Sequence, residues 1–211
     1  MLRFYDIAFP AVTAFFHFSS RWQVNGRENV PGEGPFIVVA NHTTMFDPPL
    51  LTVSLRRQVA FMAKEELFRR WAVSWLISLL GAFPVRRGKI DRTTLRAAEE
   101  VLAAGSALGL FPEGSRSEGG QLRHANVGPV VIAQRCRVPI LPVGIIGTRD
   151  LAGRAGLLRR PRVTVNIGRP FSLDGASGKL ARVESIRHVM ERIAELLPPE
   201  YRGVYGSQAP E

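Results

Sequence analysis

The chain of 211 residues contains a single cysteine, Cys136. No disulfide can form within it, and this usage is compatible with a reducing compartment. Cys136 lies between two arginines in a helical pattern with no partner base placed by the sequence, so it reads as a structural thiol. Acidic residues are scarce too: 18 Asp and Glu stand against 28 Lys and Arg, a net charge of +10. No long basic tail carries that surplus. It is spread in small groups, among them Arg56-Arg57, Arg69-Arg70, Arg86-Arg87-Gly88-Lys89 and Arg159-Arg160, which argues against a disordered nucleic-acid arm. The aromatics sit in apolar helical stretches rather than between Lys and Arg on strands, so a nucleic-acid-binding domain has only the charge in its favour. An anionic membrane surface or a phosphorylated substrate suits the charge better. The apolar N-terminal stretch, Phe4 to Phe18, falls short of the roughly 20 residues a membrane span needs, and Asp6, Pro10 and His17 interrupt it. It also lacks the basic start and small-residue cleavage site of a signal peptide. A helix lying in the membrane interface fits it, against the plainer reading of a buried N-terminal helix.

Hydrophobic residues make up 45% of the chain, Gly and Pro are scattered, and no repeat or linker is visible. The length allows one full domain. After a helix over about 4–20, residues 21–27 alternate as a short strand. Phe36-Ile37-Val38-Val39-Ala40 is a continuous, mostly β-branched run, the pattern of a strand buried on both faces. Asp47-Pro48-Pro49 starts a helix to about 56, and 59–62 form a short strand. A long apolar helix is expected over 65–80. It carries Trp71 and Trp75 beside Lys64, Arg69 and Arg70, a composition that suits either the core or a headgroup interface. Pro84 to Arg87 read as extended, 91–104 as helix, 107–111 as a buried strand and 128–136 as helix. Residues 140–146 and 162–167 are strands. Leu180, Val183, Ile186, Val189, Met190, Ile193, Leu196 and Leu197 hold the spacing of a final amphipathic helix. Strands alternating with helices imply a single α/β domain, a largely parallel central sheet flanked by helices, with the N-terminal helical segment at a membrane.

Two segments can carry chemistry. Asn41-His42-Thr43-Thr44-Met45-Phe46-Asp47 follows the buried strand, at the end where α/β proteins place their sites. A histidine can take a proton from a hydroxyl near neutral pH, and a carboxylate on its other nitrogen fixes the tautomer. The pair alone fits a second reading, in which Asp47 only caps the helix at Pro48 and His42 is an ordinary loop residue. Phe111-Pro112-Glu113-Gly114-Ser115-Arg116 ends another buried strand. Its glycine allows close backbone approach and its arginine suits a phosphate, although a surface turn with a solvated ion pair has the same composition.

Together these segments resemble the glycerolipid acyltransferase family, whose best-known members are the 1-acyl-glycerol-3-phosphate acyltransferases. Gly81-Ala82-Phe83-Pro84-Val85-Arg86-Arg87-Gly88 is similar to the family's second motif and Val138-Pro139-Ile140-Leu141-Pro142-Val143 to its fourth. All four occur in order over about residues 35–147. The chain is expected to divide into an N-terminal apolar helical segment, residues 1–25, and an acyltransferase domain, residues 26–211. The resemblance carries the following roles within that domain. It implies His42 as general base, supported by Asp47, for attack of an acceptor hydroxyl on an acyl thioester. Glu113, Gly114, Ser115 and Arg116 form the acceptor site, with Arg116, Arg87 and Arg86 toward phosphate. Asn41 and Pro142 serve the acyl site or its framework. No metal or bound cofactor is implied, since acyl-coenzyme A or acyl-carrier protein is a substrate. The acceptor is lysophosphatidic acid or another lysophospholipid or glycolipid, and the location is the cytoplasmic face of a membrane, peripheral or monotopic. A non-catalytic lipid-binding protein of the same fold is the remaining alternative, against which the intact His42 and Asp47 stand. Two departures matter: Ser115 stands where the family commonly has Thr, and Ala125-Asn126-Val127-Gly128 where many members have Phe-Lys-x-Gly.

Overall fold

The computed structural model describes residues 2–69, 81–85, 92–153, 155–173 and 178–206. In chain order its elements are α1 (Leu2–Ser19), β1 (Arg21–Asn25), β2 (Phe36–Ala40), α2 (Asp47–Leu55), β3 (Val59–Lys64), β4 (Ala82–Val85), α3 (Arg92–Ala103), β5 (Ala107–Leu110), α4 (Gly128–Cys136), β6 (Ile140–Ile146), α5 (Thr148–Ala152), α6 (Gly156–Arg159), β7 (Arg162–Ile167) and α7 (Lys179–Ala194). Short 3-10 turns occupy Arg27–Asn29, Glu65–Arg69, Pro199–Tyr201 and Gly203–Tyr205.

The strands form one sheet in the order β1-β7-β6-β2-β5-β3-β4. Every neighbouring pair is parallel except β6 and β7. β2 is central because all five of its residues are apolar and buried. Its alternate side chains serve two cores. Phe36, Val38 and Ala40 join Phe16 of α1 and Leu50, Leu51, Val53 and Leu55 of α2 on one face. Ile37 and Val39 join Ala98 and Leu102 of α3, Val130 and Ile132 of α4, and Ile186, Val189, Met190 and Ile193 of α7 on the other. Full burial of a side chain such as Phe16 or Leu50 contributes about 1.5–3 kcal/mol, so the two faces hold the layers together without disulfides.

The expected fold class therefore holds as a single α/β domain with a mostly parallel sheet flanked by helices. Three expectations need correction. The expected boundary between residues 25 and 26 separates β1 from the sheet to which it belongs, since β1 pairs with β7 from Arg21 to Asn25; the helical segment ends at Ser19. In the final helix Leu180 and Val183 are exposed. Helical spacing identifies a face but not whether a neighbour covers it, and at the first turns of α7 none of the described residues does. Glu65–Arg69, expected as the start of a helix over 65–80, is a 3-10 turn, and the rest of that expectation, with Trp71 and Trp75, lies outside the described residues. No helix among the described residues is long and apolar enough to cross a membrane. α1 buries Ala8 and Phe16 and packs Phe9 and Val12 against the core, so one side of it is covered by the domain. α2, α4 and α6 each end on an arginine in the left-handed region, Arg56, Arg137 and Arg160, where glycine is the usual signal.

Candidate active site

β2 ends at Ala40, and the next residue locks the following loop to the sheet. The Asn41 side-chain amide donates to the Ile145 carbonyl at 2.8 Å and accepts the Ile145 N–H at 2.7 Å. It thereby extends the pairing of β2 with β6 by a side chain where the backbone turns away. His42 follows at the C-terminal end of the strand. Its Nδ1 lies 2.8 Å from Oδ2 of Asp47.

Asp47 is fully buried, and five groups meet its carboxylate. Oδ2 also accepts the backbone N–H groups of Thr43 and Thr44, each at 2.7 Å. Oδ1 accepts the hydroxyls of Thr44 at 3.1 Å and Thr148 at 2.7 Å. A carboxylate ringed by donors takes Nδ1 as a donor too, which places the imidazole proton on Nδ1 and leaves Nε2 as the basic atom. The capping reading of Asp47 does not hold: Asp47 is the first residue of α2, the N-cap is Phe46 with no side-chain cap hydrogen bond, and the Asp47 carboxylate turns back to His42 instead. The His42 ring is 17% exposed and stacks on Phe111, with centroids 4.1 Å apart and planes 19° apart. Phe111 in turn stacks on Phe61 at 6.0 Å.

Thr148 is the residue that the sequence did not reveal. It is buried at the start of α5, and its Oγ1 lies 2.9 Å from Oγ1 of Thr43. Gly147 delivers it there with φ of 86°; a Cβ at this position would lie 2.0 Å from the Arg162 carbonyl oxygen. No pattern joins Thr148 to Asp47, since 101 positions separate them.

The second segment folds back onto the first. Gly114 turns with φ of 72°, the Ser117 N–H donates to the His42 carbonyl at 2.7 Å, and Glu113 joins the two loops. Its side chain is buried. Oε1 accepts the His42 backbone N–H at 3.1 Å and Oε2 the Arg123 N–H at 3.3 Å. Glu113 was expected at the acceptor site; its carboxylate instead faces inward and braces the backbone of the histidine. Burial pushes its pKa above the ordinary value, opposed by those two N–H groups and then by the charges of Arg123 and His42. Arg123, another residue the sequence did not single out, has its Nε 3.6 Å from Glu113 and donates from Nη2 to the carbonyl and hydroxyl of Ser115.

A raised carboxyl pKa means that the folded state binds its proton more tightly than the unfolded chain. The resulting stability is full below the ordinary value of 4.5 and is lost as pH rises through the folded value. Glu113→Gln mimics the protonated form at every pH. Its melting temperature relative to the parent should therefore rise steadily as melts are taken from mildly acidic to neutral pH. Parallel curves across that range would refute this account of Glu113.

Arg116 is exposed and makes no hydrogen bond or ion pair among the described residues, so its guanidinium is available to a ligand. Arg86 and Arg87 lie outside the described residues. Asn126, at the position of the missing lysine, donates its side-chain N–H to the Pro112 carbonyl at 3.2 Å and braces the turn. Pro142 is the third residue of β6 rather than at its end; it is buried, and its carbonyl accepts the Gly168 N–H at 2.9 Å. Its place is in the framework of the sheet, paired with Val39 of β2. Cys136 is half-buried in α4, and burial first, then Glu99, raises its thiol pKa against the pull of Arg135, so it stays a thiol. Among the described residues no group of three or more His, Cys, Asp or Glu could hold a metal ion.

This arrangement, a clamped imidazole and buried carboxylate beside a free arginine, can be compared with known proteins. The model of the acyltransferase family matches residues 21–146. The chain belongs to the acyltransferase family. Among its relatives, the 1-acyl-sn-glycerol-3-phosphate acyltransferase of Streptococcus pneumoniae is 33% identical over 184 residues, 82% of this chain and 65% of that protein. The Bacillus subtilis protein of the same name is 30% identical over 71% of this chain and 73% of its own length. A chloroplastic relative from Brassica napus is 30% identical over 70% of this chain, which spans only 44% of it. The crystal structure of the 1-acyl-sn-glycerophosphate (LPA) acyltransferase PlsC from Thermotoga maritima superposes with a TM-score of 0.67 at 30% identity, covering 88% of this chain and 78% of that one. Residues 21–146 contain His42, Asp47 and the Glu113–Arg116 turn, whereas Thr148 lies just past them.

Proposed function

We propose that this protein moves a fatty acyl chain from an acyl thioester to the free hydroxyl of a 1-acyl-glycerol-3-phosphate, giving phosphatidic acid. The donor is acyl-coenzyme A or acyl-carrier protein. The observation that carries the reading is the imidazole of His42, held through Nδ1 by a buried carboxylate at 2.8 Å, with Nε2 left basic at the end of the central strand. Nε2 takes the proton of the acceptor hydroxyl as its oxygen attacks the thioester carbonyl. The new C–O bond forms, the carbonyl electron pair moves to oxygen, and the tetrahedral intermediate collapses with breakage of the C–S bond. The departing thiolate receives the proton from His42, which returns to its neutral form. Asp47 holds the tautomer and faces the imidazolium while it exists. Arg116, with Arg86 and Arg87, meets the acceptor phosphate. The names of the relatives support the substrate class, and the same reading places the enzyme peripherally on the cytoplasmic face of a membrane.

A second reading keeps the chemistry and changes the acceptor to another lysophospholipid or a glycolipid. It is favoured by Asn126, which supplies no charge where many family members carry a lysine. Purified protein with acyl-coenzyme A separates the two. Thiol release should depend on acceptor and be far faster with lysophosphatidic acid than with lysophosphatidylcholine, lysophosphatidylglycerol or a glycolipid. Equal rates across the panel would overturn the assignment of the acceptor, and release without any acceptor would reduce the activity to thioester hydrolysis.

A further inference from the structure

Eight large apolar side chains are exposed among the described residues, and five of them, Phe15, Phe18, Met45, Leu157 and Leu158, gather at one end of the molecule. The topology says which end. β6 runs parallel to β2, so its last residues reach the level of Asn41 and His42. β7 is antiparallel to β6 and therefore starts there. β1 is parallel to β7 and starts there too, immediately after α1. The end of α1, the α5–α6 hairpin and the starts of β1 and β7 thus all rim the end that carries His42. Met45 lies in the loop between His42 and Asp47, and Phe15 stacks on Phe46 of the same loop at 5.7 Å.

The outermost part of this rim is α6. Leu158 is 89% exposed and Leu157 is exposed beside it; Phe18 at the end of α1 is 73% exposed. The elements are tied together: Arg160 donates from Nη2 to the His17 carbonyl at 2.9 Å, and Arg21 donates from Nε to the Arg160 carbonyl at 3.1 Å. Charge surrounds the apolar tip. Over the described residues from 148 to 162 the charged side chains are Arg149, Asp150, Arg159, Arg160 and Arg162, all exposed, and Arg21 adjoins them. The acyltransferase family match ends at residue 146, so it assigns nothing to this hairpin.

We propose that the α5–α6 hairpin, with Phe18, is a docking surface for an anionic lipid bilayer, in which Leu157 and Leu158 enter the interface while Arg21, Arg159, Arg160 and Arg162 meet lipid phosphates. Charge complementarity selects this occupant. An apolar tip rimmed by arginine is the composition that binds an interface by burial plus attraction to anionic lipid, whereas a second copy of this chain would set arginine against arginine. The same placement brings a bilayer to the end of the sheet that carries His42. At the other end, Leu180 is 86% exposed at the start of α7, between the exposed Lys179 and Arg182 and followed by the exposed Glu184, so it serves as a control for a single apolar residue beside basic charge away from the hairpin.

The test reads binding without donor or acceptor, so it stands or falls independently of acyl transfer. Full-length protein is floated with phosphatidylcholine vesicles and with vesicles that also contain phosphatidylglycerol, at low and high salt. Binding should favour the anionic vesicles and weaken with salt. The double variant Leu157→Ser, Leu158→Ser should lose about tenfold or more in partitioning. Arg159→Gln with Arg162→Gln should lose binding to the anionic vesicles only. Leu180→Ser should float as the parent does. Acyl transfer to a detergent-dispersed acceptor should be unchanged in all of them, which excludes misfolding as the cause. If the double leucine variant binds like the parent, or no worse than Leu180→Ser, the proposal is wrong. It is equally overturned if sedimentation shows a parent dimer that the leucine variant dissociates with vesicle binding intact, which would give the surface to a second copy of the chain.

Discussion

Replacing His42 with alanine is expected to lower kcat by about 10²- to 10⁴-fold, the usual contribution of a positioned general base, while the fold survives. The local contacts argue for survival. His42 is held by its backbone: its N–H donates to Glu113 at 3.1 Å and its carbonyl accepts the Ser117 N–H at 2.7 Å. Alanine keeps both. What is lost is the stack on Phe111, worth about 0.5–1.5 kcal/mol beyond area, and the orienting bond to Asp47. KM for acceptor and donor should change little, because the proton transfer belongs to the transition state. Steady-state thiol release on the pure variant decides the matter: a His42→Ala protein that keeps most of the parental kcat removes the imidazole from the mechanism.

The difference between what the sequence disclosed and what it concealed follows from distance along the chain. Asn41, His42 and Asp47 fall within seven residues after an apolar run, so both the strand that delivers them and the return of Asp47 toward the histidine are local events. The Phe111–Arg116 turn is legible for the same reason, but the direction of Glu113 is not. Whether a carboxylate faces a ligand or the protein depends on which N–H groups the fold brings to it, and one of them belongs to His42, 71 positions away. The α5–α6 hairpin is also silent in sequence, because exposed Leu157 and Leu158 read the same as buried leucines until the structure shows that no described residue covers them. Leu180 and Val183 are the converse, with correct periodicity and no covering surface among the described residues.

Asp47 and Thr148 yield the second large effect, and it depends on which atom is changed. Asp47→Ala leaves the N–H groups of Thr43 and Thr44 without an acceptor in a buried place, at about 1–3 kcal/mol each, so lost activity there would be entangled with lost stability. Asp47→Asn avoids this. With its carbonyl oxygen turned to the Oδ2 position it still accepts both N–H groups and Nδ1–H, and its amide can donate to the hydroxyls of Thr44 and Thr148, which rotate to accept. The fold should stand, yet the imidazolium faces no charge, and kcat should fall by about 10³- to 10⁴-fold, as for a triad whose carboxylate is neutralised. Thr148 acts one step further back, as a positioning residue. Thr148→Val removes one short charge-assisted bond, of 2.7 Å to Oδ1, and strands the Thr43 hydroxyl, while Thr44 still bonds the same oxygen at 3.1 Å. A loss in kcat of about 10- to 100-fold corresponds to one such bond of roughly 1.5–3 kcal/mol, with KM unmoved. Thr148→Ser keeps the hydroxyl and should recover most of the rate at similar thermal stability. A purely structural role for Thr148 predicts the reverse pattern, in which melting temperature falls in both variants and kcat per folded molecule in neither; that outcome would confine the catalytic pair to His42 and Asp47.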